Sequence, residues 1–211
     1  MTPDALRERL RLVVITDADL ARPRSVADVV AAALRAGAPA IQLRDKGASA
    51  AELLDLVRIL GALTRRAGAL LFVNDRLDVA LAGGADGVHL GPDDIPVAAA
   101  RAVAPAGFLI GTSTDDPETA RALVTEGADY IGCGTVYPTS SKPDAGRVIG
   151  LPGLDAVARA VEVPVIGIGG VTTGRAHEIA TTAASGVAVI GAVMGAEDVD
   201  QAVRALMAPW T

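Results

Sequence analysis

Aromatic side chains are nearly missing from this 211-residue chain, which has two Phe, two Tyr and one Trp. Its core must be filled instead by Val, Ile, Leu and Ala, and the 51% hydrophobic content supplies them. That length and content suffice for one domain with a large buried core, read as residues 1–211. The single cysteine, Cys133, excludes an internal disulfide, and no apolar signal segment follows Met1. A reducing, cytoplasmic location is therefore expected. No apolar run is long and uninterrupted enough to span a bilayer. Positive charge is also short: 19 basic residues against 25 acidic ones leave a net charge of −6. That argues against a nucleic-acid partner and leaves any anion to be bound by local devices.

What is present alternates regularly. Short β-rich runs are read at Leu12–Thr16, Ala40–Leu43, Leu70–Val73, Gly87–His89, Phe108–Ile110, Tyr130–Cys133, Val163–Ile168 and Val187–Ile190. An Ala/Leu-rich amphipathic segment follows each, as at Ser25–Ala36, Ala51–Arg66 and Thr119–Glu126. Several strands are entered through a related phrase: Ala36-Gly-Ala, Ala82-Gly-Gly-Ala-Asp and Glu126-Gly-Ala-Asp. Each reads as a helix C-cap glycine and a turn into the next strand, a weak internal repeat of βα units. Strict alternation implies a parallel sheet, and eight units without a second domain favour closure into a single (β/α)8 TIM barrel. In such a barrel the chemistry belongs to the loops that follow strands.

Rare residues fall in those loops. The chain has only two lysines, Lys46 and Lys142, and both follow predicted strands; its only Asn, Asn74, ends strand three. In Gln42-Leu-Arg44-Asp-Lys46 the polar residues occupy every second position, so Gln42 and Arg44 face the barrel interior while Ile41 and Leu43 meet the helices. That arrangement suits a polyanion. Asn74-Asp75 and Asp93-Asp94 follow neighbouring strands, where carboxylates can converge on one ion, and Mg²⁺ commonly takes one or two carboxylates with substrate phosphates. Helix capping is the competing reading for either Asp alone. The longest such loop, Gly134–Gly146, interleaves Thr139, Ser141 and Lys142 with Gly and Pro and suits a flap over a phosphate. Gly169 and Gly170 after strand seven, and Ile190-Gly191 after strand eight, place backbone N–H groups where barrels commonly bind phosphate.

Other residues are set aside. Ser113 and Thr114 precede Asp115-Asp-Pro-Glu, so at least one reads as a cap. His89 reads as a hydrogen-bonded core histidine, His177 as helix surface, and Cys133 as a small buried hydrophobe. No zinc spacing and no Ser/His/Asp constellation is visible.

With those residues in place, the chain resembles the thiamine-phosphate synthase (thiamine-phosphate pyrophosphorylase) family from Arg11 to about Met194. The resemblance runs through Gln42–Lys46, Asn74-Asp-Arg76, Gly84–Gly91 with Asp94, Gly111-Thr-Ser113, Gly127–Gly132, Thr139–Lys142 and Ile168–Val171, seven motifs in order. It implies a pyrophosphate-releasing transferase that joins hydroxymethylpyrimidine pyrophosphate to a thiazole phosphate or its carboxylated form. By that resemblance Gln42, Arg44, Lys46, Asn74, Ser113 and Lys142 bind the pyrimidine pyrophosphate, with Arg44, Ser113 and Lys142 closest to the chemistry. Asp75 and Asp94 hold Mg²⁺. Thr139, Ser141, Gly169 or Gly170 and the Ile190-Gly191 backbone take the thiazole phosphate. The chain departs from the family pattern at Thr135 (usually Pro), Tyr137 (commonly Phe), Ser141 (Thr) and Gly191 (frequently Ser). The rival readings are a thiazole tautomerase on the same barrel, which should lack the pyrophosphate–metal set, and a non-catalytic protein that binds such phosphates. The expected partners are small phosphorylated molecules, and self-association into a homo-oligomer is compatible with the sequence.

Overall fold

The computed structural model describes residues 2–139 and 147–210. Eight parallel strands close into a barrel in sequence order: β1 (Leu12–Ile15), β2 (Ala40–Leu43), β3 (Leu70–Asn74), β4 (Gly87–Leu90), β5 (Leu109–Ser113), β6 (Tyr130–Cys133), β7 (Val165–Ile168) and β8 (Gly186–Val189). β1 pairs with both β2 and β8, which completes the ring. Helices interleave with the strands: α1 (Pro3–Arg9), α2 (Ala18–Ala21), α3 (Val26–Arg35), α4 (Ala50–Ala67), α5 (Leu77–Gly83), α6 (Val97–Val103), α7 (Pro117–Thr125), α8 (Gly150–Ala160), α9 (Thr173–Ile179), α10 (Gly191–Met194) and α11 (Val199–Met207). None of the described helices is long and apolar enough to cross a membrane.

The expected strands are all present, with shifted ends. β7 starts at Val165 rather than Val163, since Pro164 has no N–H to give a ladder and contributes only its carbonyl, to Ile131. β5 runs on to Ser113, past the expected Ile110, so Ser113 is a strand residue rather than a cap. The cap of α7 is Asp116, whose carboxylate accepts the Thr119 N–H. The glycines of the repeated phrase do turn the chain: Gly37, Gly84 and Gly127 hold φ of +99°, +68° and +109°, where a side chain would be strained.

Period-two alternation sorts the core into two bodies. Outward residues such as Val14, Ile41, Leu43, Val73, Val88, Ile131, Cys133 and Val189 pack against the helices. Inward residues Val13, Ile15, Ala40, Leu70, Phe72, Leu109, Tyr130, Ile166 and Ala188 fill the barrel. Leu6 and Leu10 join the inner body, so α1 plugs the end from which the strands start. The same parity carried to the other end turns Gln42, His89 and Ser113 inward, above the apolar layers.

Candidate active site

A cavity of about 350 Å³ opens at the C-terminal end of the strands. It brings together Gln42, Arg44, Lys46, Asn74, Asp75, Asp94, Ser113 and Ile190 from separate loops, as the sequence leads one to expect. Gly169, Gly170, Gly191 and Thr139 are not part of its lining. Ser141 and Lys142 lie outside the described residues.

Local hydrogen bonds fix the basic arm. The Thr16 hydroxyl donates to the Arg44 carbonyl at 3.0 Å and accepts the Arg44 N–H at 2.9 Å, tying the end of β2 to the end of β1. The Asp45 carboxylate accepts the N–H groups of Gly47 and Ala48 and so shapes the turn that carries Lys46. Arg44 is half-buried and Lys46 exposed, a gradient of positive charge from the floor of the cavity to its mouth.

The acidic arm lies beside it, after the next two strands. Asn74 pairs in register with His89, and the next residue, Asp75, donates its N–H to the His89 carbonyl at 2.8 Å. Asp75 holds φ +64°, the one non-glycine residue among those described in the left-handed region. Such a backbone costs of order 1 kcal/mol or more and persists where the surroundings impose it, commonly at functional sites. Neither acidic residue caps a helix: α5 follows Arg76 and α6 follows Pro96, both without a side-chain cap. Asp94 instead accepts the Gly91 N–H at 2.7 Å and hydrogen-bonds the Asp75 carboxyl.

Burial, then the hydrogen bond and negative charge of Asp94, push Asp75 up to about 6, against the smaller opposing pull of Lys46 and Arg44. Asp75 is thus held back from ionising even with Arg44 and Lys46 nearby. Among the described residues there is no cluster of three or more His, Cys, Asp or Glu suited to a metal. Two converging carboxylates fit a hard divalent cation that draws its remaining oxygens from water and phosphate.

The floor holds two residues that the sequence reading left out. His89 Nε2 lies 2.8 Å from the Ser113 hydroxyl, and Nδ1 lies 2.9 Å from the Tyr130 hydroxyl. Both line the cavity, so His89 is a hydrogen-bonded histidine as expected, but one inside the site. The available signal was parity: Val88 and Leu90 face the helices, which sends His89 inward. Cys133 is buried among the outward residues, and burial pushes its thiol up to about 12. His177 is exposed on α9.

The described part of the segment after β6 packs on the end of β7. Gly169 (φ +96°) and Gly170 (φ +63°) pack beneath it, and a Cβ on either would meet Thr135 at 2.7 Å or the Pro138 carbonyl at 2.6 Å. Arg175 donates to the Gly170 carbonyl at 2.7 Å and lies over the Tyr137 ring, whose hydroxyl donates to Glu178 at 2.8 Å. The glycines therefore let this segment seat closely on the end of β7. No side chain caps α10, which starts at Gly191 after Ile190.

The sequence and the fold both match known proteins. Residues 12–193 match the family model described as thiamine monophosphate synthase. A thiamine-phosphate synthase of Roseiflexus castenholzii is 50% identical over 193 residues, covering 92% of this chain and 85% of the relative. That of Pyrococcus furiosus is 47% identical over 201 residues, covering 95% of each. A solved structure of thiamine phosphate pyrophosphorylase from Pyrococcus furiosus superposes with a TM-score of 0.89 at 46% identity, covering 97% of both chains. A barrel of this topology, with this set of residues at its mouth and this similarity along its length, belongs to the thiamine monophosphate synthase family.

Proposed function

We propose that this chain is a cytoplasmic transferase that joins an aminopyrimidine methyl pyrophosphate to a thiazole ethyl phosphate, giving thiamine phosphate and pyrophosphate, or to its carboxylated form, in which case CO2 is released as well. The whole barrel acts as one catalytic unit. The observation that carries this reading is the gathering of Arg44 and Lys46 beside the Asp75–Asp94 pair in one cavity at the ends of neighbouring strands. Pyrophosphate leaves readily only where its developing charge is met by preorganised cations. Arg44 offers a planar fork of donors to the phosphates and Lys46 a point charge at the rim. Lys142 would complete that grip, while Thr139 and Ser141 would join Gly169 and Gly170 in holding the thiazole phosphate.

Asp75 and Asp94 would hold Mg²⁺. When bound, Mg²⁺ supplies charge neutralisation and orientation of the pyrophosphate oxygens.

The bond that breaks joins the methylene carbon to the bridging phosphate oxygen, and its electron pair leaves with pyrophosphate. The amino group feeds electron density through the ring to the methylene, so the cation is bearable without a protein nucleophile. The thiazole nitrogen then gives its lone pair to the methylene carbon. Gln42, Asn74 and Ser113 orient the pyrimidine on the cavity floor, and the apolar side chains of Ile15, Ile166, Ile168 and Ile190 keep water from the cation. Gly169, Gly170 and the start of α10 receive the thiazole phosphate, where backbone N–H groups and the helix dipole favour an anion.

The test is direct. Purified protein with Mg²⁺ and both substrates is expected to form thiamine phosphate and pyrophosphate together. A well-folded sample that tautomerises the thiazole, or binds the phosphates without turnover, would overturn the reading.

A further inference from the structure

The inner wall of the barrel is apolar except where one buried chain of polar groups crosses it. Tyr130 is fully buried, yet its hydroxyl is satisfied. Its ring stands edge-on to Phe72 at 5.2 Å between centroids. Two glycines make the space. A Cβ on Gly111 would fall 2.0 Å from the Tyr130 ring, and one on Gly132 would fall 3.0 Å from His89 Cε1 and 3.4 Å from the Ser113 hydroxyl. Both glycines are strand residues with ordinary backbone angles, so their requirement is room for these two side chains. A barrel that empties two strand positions to seat a phenol and an imidazole beneath its site is using them.

The chain of contacts runs from Ser113 to His89 Nε2, from His89 Nδ1 to the Tyr130 hydroxyl, and on to the Gln42 side chain, a second hydrogen-bonding neighbour of that hydroxyl. Ser113 and Gln42 are its two ends. A neutral imidazole carries one N–H, and a phenol has one O–H to give. With His89 neutral, those limits leave two self-consistent arrangements. In one, Tyr130 donates to Nδ1, Nε2–H donates to Ser113, and Gln42 gives an N–H to Tyr130. Ser113 is then free to donate into the cavity, and the Gln42 carbonyl is free to accept. In the other every bond reverses, so Ser113 accepts and the Gln42 amide donates. The two ends always have opposite polarity.

We infer that Tyr130 and His89 are positioning residues that couple Gln42 to Ser113, so that the cavity floor always offers one donor and one acceptor to the amino-azine edge of the pyrimidine. This rests on the reading of the site given under Proposed function. The edge of an aminopyrimidine presents an N–H donor beside a ring-nitrogen acceptor, the complement of such a pair. A fixed pattern of this kind discriminates strongly, because a mismatched ligand leaves buried groups unpaired. Removing the Tyr130 hydroxyl frees His89 and Gln42 to turn independently and dissolves the pattern without touching the pyrophosphate arm.

The experiment uses the full chain. Tyr130→Phe keeps the ring and its packing. It is expected to raise KM for the pyrimidine pyrophosphate about tenfold. Affinity for inorganic pyrophosphate with Mg²⁺ and KM for the thiazole phosphate should stay unchanged. A substrate analogue lacking the amino group should bind the original protein about tenfold more weakly than the true substrate does, and lose little more in the variant. His89→Gln, which keeps a hydrogen-bonding amide, should retain more pyrimidine affinity than His89→Ala. The chain has only two histidines, so in a His177→Gln background the ¹⁵N signals of His89 stand alone. They should report one fixed neutral tautomer, replaced by an averaged pair in Tyr130→Phe. An unchanged pyrimidine KM in Tyr130→Phe, a parallel loss of inorganic pyrophosphate affinity, or a His89 ring already averaging between tautomers would each overturn the inference. Absence of turnover in the original protein would defeat the proposed function instead, and the tautomer measurement still decides this one.

Discussion

Aspartates at the two ends of the barrel live in opposite circumstances. At the end where strands begin, Asp86 and Asp129 occupy the same place in two copies of the Gly-Ala-Asp phrase and do the same work. Asp86 accepts the Leu71 N–H at 2.8 Å, and Asp129 accepts the Ile110 N–H at 2.7 Å, each reaching the second residue of the preceding strand. Their backbone N–H groups return bonds to the carbonyls of the same two residues. Asp129 is further held by Arg101 at 2.5 Å, and that guanidinium also spans the carbonyls of Phe108 and Gly127. At the other end Asp75 has a carboxylate for a neighbour, sits on strained backbone, and is pushed up to about 6. One end spends its carboxylates on the fold. The other keeps them paired with each other at the mouth of the cavity, which is the division of labour expected of such barrels.

The sharpest way to break that comparison is to neutralise one residue at each end. Asp94→Asn keeps an acceptor for the Gly91 N–H and removes the repulsion on Asp75. Its turnover with saturating substrates should fall at least about a hundredfold, the scale of losing one preorganised electrostatic element. The melting temperature of the ligand-free variant should be no lower than that of the parent. An Mg²⁺ titration of rate would check the first and a thermal melt the second; near-parental turnover would remove Asp94 from the site. Asp129→Ala should do the converse. It leaves the Ile110 N–H without its carboxylate acceptor and Arg101 without its ion-pair partner, a cost of about 2 kcal/mol in urea unfolding, with kcat and both KM values unchanged.

Both ends were legible in the sequence to different degrees. The repeated Gly-Ala-Asp phrase exposes the strand-entry side, because the same turn is built each time from the same residue types. Arg44, Asn74, Asp75 and Asp94 were legible because polar residues at the end of an apolar strand have no bland role in a barrel. Ser113 was blurred by the acidic run behind it, which looks like a cap, and Asp116 takes that role instead. His89 and Tyr130 were missed for a physical reason. Each has a side chain that a core accepts, and only the strand pairing shows that they meet Ser113 across three neighbouring strands. Gly111 and Gly132 are plain in the sequence, but what they make room for is visible only once β4, β5 and β6 are side by side. Gly169 and Gly170 stand out in the sequence by position alone; that they seat the segment after β6 depends on contacts from another strand.

A smaller effect sharpens the electrostatic side of the comparison. Asp75 binds its proton more tightly when folded than the usual value of 3.8 allows, so the native state holds more protons than the unfolded chain between about 4 and 6. The stability this group contributes is full below that window and is lost as pH rises through about 6. The ligand-free protein should therefore show a downward slope of melting temperature with pH there, in excess of that of Asp75→Asn. The group is only half-buried, so solvent screening keeps the difference to a few degrees or less. An identical slope in both proteins would mean that the carboxylates do not oppose each other.

The smallest expected change tests the glycine-lined side, where the proposed function has the anion met by backbone rather than by charge. Gly191 opens α10 without a capping side chain and stands where the family frequently has Ser. Gly191→Ser adds a hydroxyl at the first turn while leaving the N–H in place, so it should add one hydrogen bond to the thiazole phosphate. One neutral donor to a charged oxygen is worth about 1 kcal/mol net, so KM for the thiazole phosphate should fall by about threefold to fivefold. KM for the pyrimidine pyrophosphate and the Mg²⁺ requirement belong to the opposite side of the cavity and should not move. If the substitution shifts the pyrimidine KM as well, the two halves of the site are coupled through α10, and the separation of a charged arm from a backbone arm is wrong.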